Sequence, residues 1–335
     1  MHNIDLKKYE IRTDMMVDLV EDKNEIKSSN YVKNGVKVSF IKLDENNSFG
    51  KKKGNYLTLE FDDVTDADAK DTVSEVFKEE LKRFLKVINY DKSMKTCVIG
   101  LGNMNSTPDS LGPLVCNDII VTNHFNNLGI SLDDKLSIVS CFSPGVTGST
   151  GIETSDYVKG VVNMVKPDIV LVVDALSSSS VSRVNKSIQI TDSGISPGSG
   201  IGNKRKEISK EELGIPVIVI GVPTVTSATT IVSDTINYMI KNYSYNKKLS
   251  SKKVSKFITK PVNYLKDDVD TTNVDKTTLL GLVGSLNEDE LKNLVYEVLT
   301  PIGYNLMVTP KEVDFVVENL SKVISYGINH TLHNI

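Results

Sequence analysis

The sequence predicts an α/β protein: a mostly parallel sheet flanked by helices, with a helical extension at the C-terminus. Three observations predict it. Five short apolar runs, CVIG (97–100), LSIVSCF (136–142), DIVLVVDA (168–175), SIQIT (187–191) and PVIVIGVP (216–223), are separated by helical or loop-like segments. Runs this apolar, bounded by Gly and Pro, suit strands covered on both faces. Between Asp66 and Ile88 the apolar residues Val73, Phe77, Leu81, Phe84 and Ile88 recur at helical spacing, with charges on the other side. Near the C-terminus, Ser285 with Glu288 reads as a capping box before ELKNLVYEVL. Thr309, Pro310 and Glu312 read as a second before VDFVVENLSKVI.

The remaining elements follow in chain order. Residues 1 to about 35 are charged and weakly patterned, the composition of a tail or loosely attached arm. VKVSFI (36–41) and YLTLEF (56–61) alternate enough to be strands of one hairpin or sheet edge, and ENNSFGKKKGN between them is a loop. Thr226 to Tyr243 reads as a helix with Ile231, Thr235, Tyr238 and Met239 on one side. Lys241 to Lys260 holds seven Lys and no acid, which reads as a solvated linker or surface excursion. The expected division is therefore an α/β domain over 15–243, a Lys-rich linker over 244–276, and a helical extension over 277–335 packed on the same domain.

At 335 residues, 39% apolar and 24% charged, the chain is that of a soluble globular protein. Its net charge of −4 is too small to predict a nucleic-acid partner or a membrane surface. No apolar run approaches the about 18 residues of a spanning helix. The N-terminus is polar and lacks the apolar core of a signal peptide. Cys97, Cys116 and Cys141 are odd in number and sit in apolar surroundings, so buried free thiols in a reducing cytoplasm are expected.

Two acids carry the candidate chemistry. KTCVIGLGNMNSTPDSLGP (95–113) begins as a strand, breaks at Gly100 and Gly102, and delivers Asp109 before a helix from Ser110. A helix N-cap is the bland role for Asp109. The flanking glycines favour a tight loop at the carboxyl end of a strand, where open α/β sheets place their chemistry. Asp174 ends the run DIVLVV, where a carboxylate is costly unless paired, hydrogen-bonded or protonated. Asp168 begins that run and therefore lies at the opposite end. Two carboxylates brought together cannot both ionise cheaply, so one holds a proton and the other can activate water.

Three Gly-rich stretches were weighed beside them. GLGNMN has Asn105 where the dinucleotide fingerprint wants glycine. PGVTGSTGIET (144–154), with Gly145 and Gly148, could be a phosphate nest or a substrate-lining loop. PGSGIGNKR (197–205) lacks the GK[ST] of a phosphate-binding loop. It is a flexible turn or a set of oxyanion donors from Gly198 and Gly200 with Lys204 or Arg205 beside them. There is no HExxH, and His2, His124, His330 and His333 are mostly at the chain ends, so neither a zinc site nor a His-activated nucleophile is expected.

GLGN with TPDSLGP, then PGVTGSTGIET, VVDALSSSS, IQITDSGISPGSGIGNKR and GVPTV, resembles the germination protease family of spore-forming bacteria. EVLTPIGYNLMVTPKEVD and GINHTLH are similar too, so the likeness runs from about Tyr9 to His333 and is weakest in the Lys-rich segment. The resemblance implies an endopeptidase that degrades small acid-soluble spore proteins during germination, in the cytoplasm of the forespore and spore core; from the residues themselves no cofactor and no metal is expected. It implies a homotetramer made as a self-processing zymogen, and a fold similar to the hydrogenase-maturation proteases. The family's two essential aspartates fall on Asp109 and Asp174. Its pro-peptide junction matches YEIRTDMM, which puts the cut between Asp14 and Met15 and makes residues 1–14 the pro-peptide. The family cuts its substrates after an acid before an apolar residue, so Lys204 or Arg205 becomes a candidate partner for the acid of Asp14. One departure stands out: where GVPTVVDA is expected this chain has GVPTVTSA, with Ser227 in place of an acid. Two other readings stay open: a metal-assisted peptidase on the same carboxylates, and a non-catalytic scaffold binding spore proteins or DNA through the Lys-rich segment.

Overall fold

The computed structural model describes residues 13–20, 28–45, 47, 51–130, 133–198, 206–250, 269–272, 274, 276–299 and 306–335. Contacts divide these into two compact units. The larger holds the described residues of Arg12–Ser178, Arg183–Val225 and Thr309–Ile335; the smaller holds those of Ser179–Ser182 and Thr226–Val308. The last helix, Val313–Leu332, falls in the unit that holds the sheet, and the described part of Thr226–Val308 forms the other.

The strands are β1 (Ser28–Lys33), β2 (Val36–Leu43), β3 (Gly54–Glu60), β4 (Thr96–Gly100), β5 (Val139–Phe142), β6 (Ile169–Ser178), β7 (Ser187–Thr191), β8 (Val217–Ser227) and β9 (Met307–Val308). In the larger unit their order is β1-β2-β3-β7-β8-β6-β4-β5. The α/β expectation holds, but the sheet is mixed. β4 runs parallel to β5 and β6. β6 and β8 start together, the Val170 N–H donating to the Pro216 carbonyl at 3.0 Å. From β8 outward, β7, β3, β2 and β1 are successively antiparallel. SIQIT reads as a parallel strand because both its faces are buried; burial is what an apolar run reports, not direction.

Side chains of the central strands alternate between two cores. Val98, Leu171, Val173, Ile218 and Ile220 pack with Phe77, Leu81, Leu320 and Ile324 from the helices Ala67–Val87 and Val313–Leu332. Cys97, Ile99, Val170, Val172, Val217 and Val219 pack with Val158 and Val162 of the helix Thr154–Val165. Each such fully buried side chain contributes about 1.5–3 kcal/mol. The first helix matches its sequence signal closely: Asp66 is its N-cap, its carboxylate accepting the Ala69 N–H at 3.0 Å.

Other expectations shift. The described part of residues 1–35 is no loose arm, since Met15 and Met16 are fully buried and β1 pairs with β2. Two methionines and a paired edge strand hold a stretch whose average composition is polar. The capping box before ELKNLVYEVL is made two residues later than predicted. Asn287 accepts the Glu290 N–H and Glu290 accepts the Asn287 N–H, both at 2.9 Å. The second box does not form; the Thr309 hydroxyl donates instead to the Thr224 carbonyl at 2.8 Å. In the smaller unit the helix Ala228–Ser250 runs past Tyr243 into the Lys-rich stretch, and residues 251–268 of that stretch lie outside the described residues. The Ser227 hydroxyl accepts the Thr230 N–H at 3.0 Å at that helix's start, a capping role an acid could also fill. The three cysteines are free, as expected, and burial pushes the Cys97 thiol up to about 12.

His333 locks the last helix to the sheet. Its Nδ1 accepts the Ser137 N–H and its Nε2 meets the Ile120 carbonyl, both at 3.1 Å, so the ring is neutral. Burial holds its pKa below the ordinary 6.5. The stability it contributes is complete above that unfolded-chain value and is lost as pH falls through the lower folded value, where the ring gains a proton and Nδ1 stops accepting. The melting midpoint is therefore expected to drop between about pH 7 and about pH 5 more in the wild type than in His333→Gln, measured by circular dichroism.

Candidate active site

Asp109 is held by backbone closure. After β4 ends at Gly100, the chain loops back so that the Asn103 N–H donates to the Asp109 carbonyl at 2.9 Å. The Asp109 N–H donates to the Ser106 carbonyl at 2.7 Å, closing the 3₁₀ turn Thr107–Asp109. From β8, the Thr224 hydroxyl pins this turn by donating to the Pro108 carbonyl at 2.6 Å. The helix Leu111–Asn117 has Ser110, not Asp109, as its N-cap, so the bland role considered for Asp109 is vacant. Two glycines make the loop possible. Gly102 sits at φ +115, and a Cβ there would lie 2.0 Å from the Asp109 carbonyl oxygen. Gly100 lies against the backbone of Gly112, which a Cβ would strike at 2.2 Å.

Asp174 lies inside β6 rather than at its end, since the strand continues to Ser178. It is buried, and its own neighbour's N–H, that of Ala175, donates to Oδ1 at 2.9 Å. Gly100 of β4 pairs with Val173, and the Leu101 N–H donates to the Val173 carbonyl at 2.8 Å. The Asp109 loop is thereby set against the Asp174 segment. Burial, first, and then the charges of Asp109 and Asp14 hold the Asp174 carboxyl well above the usual carboxylate range. The two acids named from sequence thus act on one another, and Asp14 joins them as a third.

The Asp14 segment is built into the same face. The Asp14 N–H donates to the Ser177 carbonyl at 3.0 Å, and the Ser177 N–H donates back to the Asp14 carboxylate at 2.9 Å. The Lys51 ammonium donates to the Thr13 carbonyl at 2.6 Å. Burial pushes the Lys51 pKa down, opposed by the charges of Asp14 and Asp18. Gln189 bonds the segment through both ends of its amide, as its Nε2 donates to the Asp14 carbonyl at 3.1 Å and its Oε1 accepts the Met16 N–H at 2.7 Å. Asp14, Lys51, Tyr56, Leu176, Gln189 and Gly221 are among the residues lining a cavity of about 200 Å³. Beyond the segment Asp18 is anchored by Arg183 at 2.7 Å, and Arg183 also meets Glu60 at 3.0 Å.

Gly145 and Gly148 lie just after β5, whose following loop is tied to β4 by the Ser143 hydroxyl donating to the Gly100 carbonyl at 2.8 Å. Neither they nor Gly198, at φ +73 in its turn, line the cavity, and Asp109 and Asp174 do not line it either. Gly200, Lys204 and Arg205 lie outside the described residues. Asp168 is where expected, at the far end of β6, its carboxylate accepting the Lys95 N–H at 2.7 Å. Lys51, Ser177 and Gln189 were missed. For Gln189 a signal existed: it is a polar residue in the middle of an apolar run.

Asp174 is buried and Asp109 half-buried on loops and strands tied together at Val173, and an extended piece of chain is bonded to the same strand at Ser177. The chain belongs to the germination protease family, whose profile matches residues 5–335. Proteins named germination protease from Bacillus licheniformis and Bacillus cereus are 44% and 42% identical to it over 351 residues, covering 98% and 99% of this chain and 95% and 96% of theirs. One from Geobacillus sp. is 41% identical over 357 residues, covering 99% of this chain and 96% of its own. Among solved structures, a NiFe hydrogenase maturation protease, HycI, from Thermococcus kodakarensis is 19% identical with a TM-score of 0.28, covering 43% of this chain and 80% of its own. A TM-score that low carries no weight. The chain is a peptidase of this family.

Two outcomes follow from the geometry. A carboxyl whose pKa is raised on folding is at no disadvantage below its unfolded value and costs stability as pH rises above it. Asp174→Asn is therefore expected to raise the melting midpoint by several degrees at about pH 8, a gain that fades toward about pH 4. Arg183 and Asp18 have side chains only 5% and 1% exposed. Arg183→Met strands the Asp18 charge and is expected to cost about 3–5 kcal/mol in denaturant unfolding.

Proposed function

We propose that this peptidase is a self-processing endopeptidase that begins the degradation of small acid-soluble spore proteins in the germinating spore core, as a homotetramer, using Asp109 and Asp174 to activate water. The observation that supports this reading best is that the segment carrying the Asp14–Met15 bond is hydrogen-bonded to Ser177 of β6, three residues from buried Asp174, while the Asp109 loop is tied to the same strand at Val173. One proton is shared by the two acids. Asp174, the more deeply buried, carries it, and half-buried Asp109 takes a proton from water as the water oxygen bonds to the carbonyl carbon. When the C–N bond breaks, Asp174 gives its proton to the leaving nitrogen. Cleavage at Asp14–Met15 removes residues 1–14, and the same groove then takes acidic-then-apolar stretches of the spore proteins.

The acid of Asp14 is met by the Ser177 N–H and has the ammonium of Lys51 near it. That makes Lys51 a further candidate, beside Lys204 and Arg205, for reading the acidic residue before the cut. Asp14→Glu is expected to self-cleave within about threefold of the wild type and Asp14→Ala about tenfold or more slowly. Equal rates for both would remove the acid-reading step.

The reading is tested by purifying the full chain as Asp109→Asn and Asp174→Asn and following loss of the N-terminal peptide by mass spectrometry. Both are expected to fold and assemble, yet to release nothing. Because the junction lies in its own chain's groove, wild-type cleavage is expected to be first-order, with a rate independent of protein concentration. A metal-assisted peptidase would lose activity to a chelator and regain it with one metal; insensitivity is expected instead. A scaffold would keep residues 1–14 and leave acid-soluble proteins whole.

A further inference from the structure

Amide cleavage needs a donor aimed at the carbonyl oxygen of the bond being cut, because charge gathers there as water adds. Such a donor to the Asp14 carbonyl is the side chain of Gln189, which stands in the middle of β7, a strand buried along its length, and is itself only 4% exposed. A buried amide must satisfy both a donor and an acceptor. Here the same short segment does so for both. The Met16 N–H can only donate, so the atom facing it at 2.7 Å is Oε1, which leaves Nε2 toward the Asp14 carbonyl oxygen at 3.1 Å.

We propose that Gln189 is a catalytic residue of this peptidase, its side-chain N–H serving as the oxyanion donor for the Asp14–Met15 bond while its Oε1 holds the register on the leaving side. The proposal rests on that bond being the one cut. As the water oxygen bonds to the Asp14 carbonyl carbon, the carbonyl electron pair moves onto oxygen and the Nε2–H···O bond strengthens. When the C–N bond breaks the pair returns to re-form the carbonyl, and the leaving nitrogen takes the proton from Asp174. Placement agrees with this. Along β7, Ile188 and Ile190 enter one core, so Gln189 faces the other side, the side on which the alternation of Val170 and Val172 places Asp174. Gln189 pairs with Gly221 of β8, and Leu176 of β6 fills the space that a Cβ on Gly221 would need. The amide and Asp174 therefore lie on one sheet face, with the junction bonded to Ser177 and Gln189 on it. A neutral amide suits a site that already holds three acids, since it donates without adding a charge that the burial would penalise.

The test uses the full chain, in which no separate binding step enters the rate. Gln189→Glu keeps an oxygen for the Met16 N–H but removes the donor. It is expected to lower the first-order self-cleavage constant about 100- to 1,000-fold at neutral pH. The ratio of its rate to the wild-type rate is expected to recover as pH falls and the new carboxyl gains an O–H. Gln189→Leu is expected to lose as much without recovery at any pH. Hydrogen exchange at the Met15 and Met16 amides, compared with uncleaved Asp174→Asn, reports whether the junction is still seated. Lost rate with retained protection supports the proposal. A Gln189→Glu rate within about threefold of the wild type overturns it, and so does loss of protection together with rate, which would make Gln189 a positioning residue only. If mass spectrometry maps the wild-type cut to another bond, this proposal and the assignment of Asp14–Met15 fall together. If the cut is at Asp14–Met15 and Asp174→Asn is inert while Gln189→Glu cleaves normally, only the Gln189 role is lost.

Discussion

A carboxyl group inside a sheet covered on both faces has almost nowhere to put a charge, and that constraint at Asp174 organises the molecule. Its nearest donor is its own neighbour's N–H, while burial and two further acids all act to keep it protonated. Every element around it is arranged to hold those acids in place against their repulsion. β4 ends at Gly100, paired with Val173 just before Asp174, and the chain then doubles back so that the Asn103 N–H meets the Asp109 carbonyl. The loop closes only because Gly100 and Gly102 carry no Cβ where backbone meets backbone. β8 contributes its Thr224 hydroxyl to the Pro108 carbonyl, tying that loop to the far side of β6.

The same constraint explains why the first described residues are so firmly placed. Asp14 adds a third negative group to a site that disfavours charge, and the segment is compensated on every side. Ser177 gives it a backbone pair, Lys51 and Gln189 take its carbonyls, and the methionines that follow fill apolar space. Asp18 and Arg183 fasten the next turn. A polar segment docked with this many partners is held in register to within a residue, which a chemical step at one peptide bond requires.

Much of this was legible in the sequence. The helix Ala67–Val87 and the covered strands followed from periodicity and apolar runs, and Asp109 and Asp174 were named from their placement beside glycines and at an apolar run. The misses have particular causes. Asp174 reads as a strand end because the run of valines stops there, although Ala175, Leu176, Ser177 and Ser178 carry the strand four residues further. The mixed direction of the sheet was invisible, because a strand buried on both faces looks alike in either direction. The capping box moved from Ser285 to Asn287 because two nearby positions offered equivalent chemistry, and only the packed helix chose. The polar N-terminal stretch looked loose because its partners are remote in sequence.

Gln189 and Lys51 mark the line between the two kinds of information. The rule that singled out Asp174, that a polar group in a buried strand needs a reason, applies equally to the glutamine in SIQIT. By itself the sequence determined which residues must be buried, which backbone turns need glycine, and which acids are too costly to be accidental, because those are local consequences of side-chain chemistry. Only the tertiary structure decided that Asp14 is bonded to Ser177 of the Asp174 strand, that Gln189 spans the junction and that Lys51 reaches the carbonyl before it. Those contacts join positions more than a hundred residues apart for Ser177 and Gln189, and a separate loop for Lys51. No local pattern encodes which distant partner a buried polar group will meet.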